Sequence, residues 1–250
     1  MQYLLYIFIF YLGSLATSFY HVIGYRLPKK VSIGGRSICE SCDKPLKWID
    51  ILPIIGYLLN KGRCRFCHEK ISIKHFIFEV IGGLIFLLGY ITYGLNISLI
   101  IYIILISVLM IESISDLYYK IVIDRVWMMG AVMMIIIRIY EANILPYLMS
   151  SALLFLLLFS ISYVASKIYK KEALGGGDVK LFIFIGLILT IELGILTLFL
   201  ASLFGFLYGI IKLRDNSLEL PLVPFIFFAS LISFLYGDAI IKAYLSLLGV

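Results

Sequence analysis

The sequence predicts an α-helical polytopic membrane protein with about eight transmembrane helices and a small polar insert between the first and the second. Two observations predict this class. Of the 250 residues, 62% are hydrophobic and 14% are charged, and the mean hydropathy is +1.07. Charge-free runs long enough to cross a bilayer also recur along the chain. Such a composition cannot surround a core with a water-solvated surface, so lipid must be the main solvent.

The same composition disfavours several classes of protein. A soluble enzyme, a secreted disulfide scaffold, a disordered region or a nucleic-acid-binding protein has no use for long charge-free runs. The net charge of +6 therefore does not indicate a nucleic-acid partner. We interpret the positions of the basic residues as a report on orientation in the membrane.

The first predicted span is Met1–Tyr25, which contains no Asp, Glu, Lys or Arg. At about 1.5 Å per residue it is long enough to cross roughly 30 Å of hydrocarbon. A cleaved signal peptide is the alternative, but that class begins with basic residues, and here they follow the apolar run from Arg26 onward. We therefore expect a permanent helix.

The later spans are predicted from long, mostly apolar stretches, and a stretch too long for one crossing is divided at its turn residues. These stretches are Val80–Ile111, divided at Tyr93-Gly94-Leu95-Asn96; Ile121–Ile139; Ala142–Ser166; Asp178–Arg214, divided near Glu192-Leu193-Gly194; and Leu220–Tyr236 with the residues that follow. Together with the first span they give eight crossings.

The basic residues support this count. If the amino terminus lies outside, all of the 21 Lys and Arg except Arg138 and Lys242 fall in predicted cytoplasmic segments, as the positive-inside rule requires. A seven-span alternative, with Asp178–Arg214 undivided, would place Lys212 and Arg214 outside. We therefore expect eight spans and an external amino terminus.

Residues 29–75 form the polar insert, which contains the only four cysteines of the chain: Cys39, Cys42, Cys64 and Cys67. Two Cys-x2-Cys pairs at this separation can place four thiolates tetrahedrally around Zn²⁺. Redox chemistry is the alternative, but this strongly basic insert is predicted to be cytoplasmic, where thiols stay reduced. The cysteine quartet is therefore predicted to bind a structural zinc ion, with His68 as a bystander.

Two aspartates are predicted to lie at one membrane face. Asp116 ends the third span, and Asp178 opens the sixth after Gly175-Gly176-Gly177. Ionisable residues at membrane depth usually mark a working site. Two facing carboxyl groups can share a proton, so that the ionised one activates water while the protonated one donates to a scissile carbonyl oxygen. Each aspartate alone would be interpreted as a helix-end charge, but together with the glycines they predict a catalytic pair.

Supporting roles are predicted for residues around this pair. Gly175 and Gly177 would let the backbone approach a carboxylate closely. Lys180 could hold a carboxylate in its charged form or steady a substrate carbonyl, and extension to the interface is an equal alternative. Asp124 is preferred as a cap of the fourth span, and Glu112 could support Asp116 or pair within the bundle.

At this point the sequence resembles the type IV prepilin peptidase family of leader peptidases and N-methyltransferases, which also serve competence pseudopili and type II secretion. The resemblance covers nearly the whole chain. Its elements are Ser18-Phe19-Tyr20-His21-Val22 with Tyr25-Arg26-Leu27-Pro28, the cysteine quartet, Glu79, Ser115-Asp116-Leu117, and the most specific motif, Gly175-Gly176-Gly177-Asp178-Val179-Lys180. His21 stands where many members have Asn, and no proline precedes Asp124.

The resemblance implies a membrane aspartic endopeptidase of the bacterial cytoplasmic (inner) membrane. Its substrates would be prepilin or pseudopilin precursors, which lose a short basic leader at the cytoplasmic face. It also implies N-methylation of the new amino terminus from S-adenosylmethionine. The corresponding domains are the first transmembrane helix (1–28), the cytoplasmic zinc-binding insert (29–75) and the peptidase core (76–250). No Gly-rich loop after a strand points to a methyl-donor site.

Two other functions compete. One is an ion- or proton-coupled transporter with a cytoplasmic zinc domain, which an inverted internal repeat would favour; the sequence contains no convincing repeat. The other is a membrane thiol oxidoreductase that uses the cysteine pairs, which metal content would distinguish from the zinc protein. The sequence does not predict an oligomeric state.

Overall fold

The computed structural model describes residues 2–39, 41–170, 175–212 and 220–247. Ten α-helices account for most of this part of the chain: α1 Gln2–Arg26, α2 Trp48–Ile51, α3 Ile55–Leu59, α4 Ile73–Tyr93, α5 Ile97–Tyr119, α6 Asp124–Tyr140, α7 Leu145–Tyr169, α8 Gly176–Gly186, α9 Ile191–Lys212 and α10 Val223–Leu247. Within the described ranges, β-structure is limited to two isolated bridges in the polar insert. The prediction of an α-helical protein is confirmed.

Six of these helices are long and apolar enough to cross a membrane: α1, α4, α5, α7, α9 and α10. The helices at the fourth and sixth predicted spans are shorter, since α6 has 17 residues and α8 has 11. At about 1.5 Å per residue, α8 is only roughly 16 Å long. A multi-pass membrane protein is therefore confirmed, and the count of eight crossings stays a prediction.

The predicted span boundaries agree with the structure at one break and differ at another. α4 ends at Tyr93 and α5 begins at Ile97, as the turn residues between them predict. The break expected near Glu192-Leu193-Gly194 lies earlier, between Gly186 and Ile191. Gly194 lies inside α9, where it faces Leu154 of α7. The predicted end at Arg214 lies outside the described residues.

The chain divides into two compact units, Met1–Ile103 and Ile104–Val250. In the first, α1 and α4 pack closely because small residues face each other. A Cβ atom on Gly83 would lie 2.5 Å from Ser14 Oγ, and a Cβ atom on Gly82 would overlap Thr17. The polar insert, with α2 and α3, lies between these two helices in the chain.

In the second unit, α8 is buried against α6, α7 and α9. After Asp178 and Lys180 in its first turns, its side chains are apolar and mostly buried, as expected for a helix surrounded by protein. The carbonyl groups near its carboxyl end accept side-chain hydrogen bonds from Arg138, Ser150 and Ser151. These donors replace the intrahelical partners that the last turn of a helix lacks, so α8 can end where it does.

Candidate functional site

The polar insert contains two loops with matching backbone hydrogen bonds, one around each cysteine pair. In each loop the first cysteine bonds to residues four and five positions later, and an isolated bridge closes the loop. The hydrogen bonds are Cys39 N–H to Lys44 O (3.0 Å) and Asp43 N–H to Cys39 O (2.9 Å), and Cys64 N–H to Glu69 O (2.8 Å) and His68 N–H to Cys64 O (3.0 Å). The bridges are Ile38–Pro45 and Arg63–Lys70.

The cysteine quartet fits a zinc ion. The four Sγ atoms all lie within 4.8 Å of one another, and the Sγ atoms of Cys39 and Cys67 are 3.8 Å apart. Four thiolates at the usual Zn–S distance of about 2.3 Å in a tetrahedron would be separated by about 3.8 Å. The prediction that the four cysteines come together is thus confirmed, and their geometry suits a tetrahedral metal ion.

His68 lies outside the group of four cysteines and directly follows the second cysteine pair. Its φ angle is +59°, and Asp43, at the equivalent position of the first loop, has φ +54°. Both residues therefore turn the chain after a cysteine pair. The thiol cluster consists of the four cysteines, and the role of His68 as a bystander stays a prediction.

Asp50 fastens the second loop to the rest of the insert. It forms an ion pair with Arg65 at 2.7 Å and accepts hydrogen bonds from the Asn60 amide and the Lys47 N–H. Desolvation alone would raise the pKa of Asp50, but the hydrogen bonds from Arg65, Asn60 and Lys47 lower that pKa below its usual value. The acid is therefore held ionised.

The acid cluster, which consists of Glu112, Asp116 and Asp178, lies in the second unit. Glu112 and Asp116 are one turn apart near the end of α5 and are 0% and 7% exposed. Asp178 lies in the first turn of α8 and is half-buried. The carboxyl groups of Asp116 and Asp178 are close enough to interact electrostatically. The structure thus brings together the two aspartates that the sequence singles out.

Three helix amino termini converge on this cluster. Asp116 Oδ2 accepts the N–H of Val223, the first residue of α10, at 3.0 Å. Glu112 Oε2 accepts the N–H of Ile123, just before α6, at 2.7 Å. Asp178 lies at the start of α8. Free N–H groups at helix amino termini carry partial positive charge, so they stabilise acids that have little access to water.

The glycines before Asp178 differ in their surroundings. A Cβ atom on Gly175 would lie 3.0 Å from Asp178 Oδ2, and one on Gly177 would lie 2.7 Å from Val122 Cβ. A Cβ atom on Gly176 would meet nothing within 4 Å. Gly175 therefore lets the backbone approach the carboxyl group, and Gly177 lets α8 pack against the loop before α6.

Two residues near the cluster differ from expectation. Asp124 is not the cap of α6, because the helix begins at Asp124 and Ile123 occupies the cap position without a side-chain hydrogen bond. Its carboxylate instead accepts from Trp127 Nε1 at 3.1 Å and pairs with Lys180 Nζ at 3.2 Å. Lys180 is 48% exposed and Asp124 53%. Lys180 therefore pairs with Asp124, and the roles predicted for it beside the catalytic pair stay predictions.

Sequence reasoning missed the partners that hold the cluster. Glu112 accepts the N–H of Ile123. This bond forms only because the chain reverses direction between α5 and α6, which the sequence does not reveal. The Val223 N–H lies 107 residues from Asp116. Any residue type has a backbone N–H, so the sequence does not indicate which one bonds to Asp116. The one available sign was that Val223 follows Pro221 near the start of a predicted span.

The fold and this site define a multi-helix membrane protein with paired acids and a cluster of four cysteines. The model for the bacterial peptidase A24 N-terminal domain matches residues 11–93, and that for the type IV leader peptidase family matches residues 103–210. The protein named prepilin leader peptidase/N-methyltransferase in Bacillus subtilis (strain 168) is 30% identical over 246 residues, 96% of this chain and 97% of its own. A Vibrio cholerae protein of the same name is 29% identical over 229 residues, 83% of this chain and 87% of its own.

The chain therefore belongs to the type IV leader peptidase family. This confirms the resemblance that the motifs indicate and the expectation of a membrane-bound peptidase. No solved structure gives a significant match to the chain.

Proposed function

We propose that the protein is a membrane aspartic endopeptidase that removes the short basic leader from type IV prepilin-like precursors, with Asp116 and Asp178 as its catalytic pair. The observation that carries the proposal is that the end of α5 and the start of α8 bring these two carboxyl groups near each other in a chain of the leader peptidase family. The names of the relatives support the substrate class. Family membership gives no support to the transporter alternative.

The mechanism requires the two carboxyl groups to share one proton. The ionised group takes a proton from water as the water oxygen attacks the scissile carbonyl carbon, and the protonated group donates to the carbonyl oxygen. Because Asp116 Oδ2 accepts the Val223 N–H, a proton on Asp116 is best placed on Oδ1. Collapse of the tetrahedral intermediate then releases the leader and a new amino terminus.

We infer that cleavage takes place at the cytoplasmic face of the bacterial inner membrane. The distribution of basic residues supports an external amino terminus and eight crossings, with α6 and α8 as the fourth and sixth. In this arrangement residues 1–28 form the first span, residues 29–75 the cytoplasmic insert and residues 76–250 the peptidase core. The precursor would enter sideways from the bilayer and present its junction to Asp116 and Asp178.

We further infer that the cysteine quartet holds one structural Zn²⁺. The ion would join two loops of an insert that is too small to bury a core of its own. The sulfur distances and the matched loops support this role. No step of peptide cleavage is assigned to the metal.

We also propose that the protein methylates the new amino terminus, with S-adenosylmethionine as the methyl donor. The second half of the relatives' names supports this activity. Methylation and cleavage are separate reactions, so each needs its own binding geometry.

A single assay tests both activities. Detergent-purified protein is incubated with a prepilin-like precursor, with and without S-adenosylmethionine, and the masses of the products are measured by mass spectrometry. We expect leader removal in both samples and a methylated mature product only when the donor is present. An intact precursor in both samples would refute the peptidase assignment, and an unmethylated product would refute the methyltransferase half alone.

A further inference from the structure

A cavity of about 430 Å³ lies within the first unit, between α1, the start of α4 and the polar insert. This volume falls within the roughly 300–1,000 Å³ that is usual for small-molecule sites. Neither Asp116 nor Asp178 lines the cavity, so the proposed cleavage mechanism does not use it. Ser18, His21, His75 and Glu79 form part of its wall.

Glu79 gives the cavity a negative charge. Its Oε2 accepts the N–H of Ile54 at 2.8 Å, and the Ser18 hydroxyl also donates to the carboxylate. In the described part of the chain, Glu79 belongs to no ion pair, whereas Asp50, which also lines the cavity, is paired with Arg65. A half-buried carboxylate that is hydrogen-bonded but lacks a cation suits a positively charged ligand.

The donor to Glu79 has an unusual backbone conformation. Ile54 has φ +64° and ψ −55°, a region that β-branched residues rarely adopt. Strained backbone of this kind occurs where the surrounding structure fixes it, often at ligand clamps. Here it directs an N–H group at the carboxylate and so fixes the position of the negative charge.

Aromatic rings form another part of the wall. The His21 and His75 rings meet edge to face with centroids 4.4 Å apart, and the Tyr57 and Phe76 rings are 5.1 Å apart. All four line the cavity. Ring faces suit a flat heterocycle and also attract an onium group. The cavity thus combines surfaces for an aromatic base with the negative charge of Glu79, which belongs to no ion pair among the described residues.

We propose that this cavity binds S-adenosylmethionine, with the Glu79 carboxylate beside its sulfonium group and the ring faces against its adenine. The proposal rests on the methyltransferase half of the proposed function. In the transfer, a neutral amine nitrogen forms a bond to the methyl carbon as the carbon–sulfur bond breaks. The electron pair of that bond stays on sulfur, which becomes a neutral thioether, and the amine loses one proton to water.

This chemistry predicts that Glu79 affects the binding of the donor and of the product differently. The sulfonium is positive before transfer and the thioether is neutral after it, so the carboxylate attracts the donor but not the product, S-adenosylhomocysteine. Removing the charge of Glu79 should therefore weaken binding of the donor alone. A purely structural role would weaken both ligands equally.

The test measures binding of labelled S-adenosylmethionine and S-adenosylhomocysteine to the full-length, zinc-loaded protein by equilibrium dialysis. For Glu79→Gln we expect donor affinity to fall roughly tenfold or more and product affinity to change by less than about threefold, given the strength of charge-assisted contacts. Glu192→Gln makes the same change at an exposed position in α9 and should alter neither affinity. Equal donor affinity in Glu79→Gln and wild-type protein would overturn the proposal.

A second measurement does not depend on the variant. Ultraviolet crosslinking of labelled S-adenosylmethionine to wild-type protein should label peptides that contain residues 17–22 or 72–79. Label confined to other peptides would overturn the assignment of the cavity while leaving the methyltransferase activity in place. Wild-type protein that neither binds the donor nor methylates its product would reject the activity itself.

Discussion

The polar insert and the acid cluster both bring reactive side chains together, but by different routes. In the insert, each cysteine pair is shaped by hydrogen bonds that span four or five residues. In the acid cluster, the partners of Glu112 and Asp116 are 11 and 107 residues away. The first site is therefore a local structure that metal can complete, and the second exists only when several helices have packed.

This difference has consequences for substitutions. A change in the insert should act mainly through metal binding and the folding of that segment. A change near the acids should act through the positions of α5, α6, α8 and α10, or through the chemistry itself. Four substitution experiments separate these possibilities.

The largest effect is expected at the two aspartates. Asp116→Asn and Asp178→Asn remove the shared proton and should each lower precursor cleavage by at least about 10²–10⁴-fold, the usual scale of acid–base catalysis. Asparagine keeps the size of the side chain, so expression and zinc content should be unchanged. Asp238→Asn, at an exposed position in α10, is the matched control. A folded, zinc-loaded Asp178→Asn protein that cleaves near the wild-type rate would contradict the aspartic mechanism.

The next effect is expected at the cysteine quartet. Cys64→Ser removes one of the four proposed zinc ligands, a buried cysteine, and should abolish zinc binding. Structural zinc contributes on the order of 10 kcal/mol to the folding of small domains, so the insert should also lose stability. Elemental analysis should find about one zinc per wild-type chain, and limited proteolysis should cut the variant between residues 29 and 75. His68→Asn keeps a residue that tolerates positive φ and should retain the metal. Reduced wild-type protein without zinc would favour the thiol oxidoreductase.

A smaller effect is expected from the glycines before Asp178. Gly177→Ala places a methyl group against Val122, and overpacking of this kind costs about 1–3 kcal/mol. Gly176→Ala meets open space and should be neutral or stabilise the start of α8 by roughly 0.5–1 kcal/mol. Thermal unfolding in detergent should therefore show a lower midpoint for Gly177→Ala only. Equal midpoints would mean that the loop at Val122 yields without cost.

The smallest effect is expected at the exposed ion pair. Asp124→Asn and Lys180→Gln each remove a contact that is about half exposed, and such pairs contribute about 0–1 kcal/mol. Cleavage should stay within a few-fold of wild type for both variants and for the double variant. A loss comparable to that of the aspartate variants would place Asp124 among the residues that contact substrate.

The sequence is sufficient where spacing alone determines structure. Cys-x2-Cys spacing predicts the thiol cluster, and the turn residues after Tyr93 predict the break between α4 and α5. The end of α8 is less predictable because it depends on Arg138, Ser150 and Ser151, which lie on other helices. Asp124 was wrongly predicted as a cap because α6 begins at Asp124 itself: Ile123 occupies the cap position, and the Asp124 carboxylate pairs with Trp127 and Lys180 instead.

Arg138 also bears on the order in which the chain assembles in the membrane. Its guanidinium is buried and donates to the carbonyls of Leu187 and Ile188, which are synthesised 49 and 50 residues later. Until then its local partners are Glu141, at 2.7 Å, and the Tyr147 ring, at 3.4 Å. The guanidinium can therefore gain its full set of partners only after α8 and the residues that follow it have been synthesised.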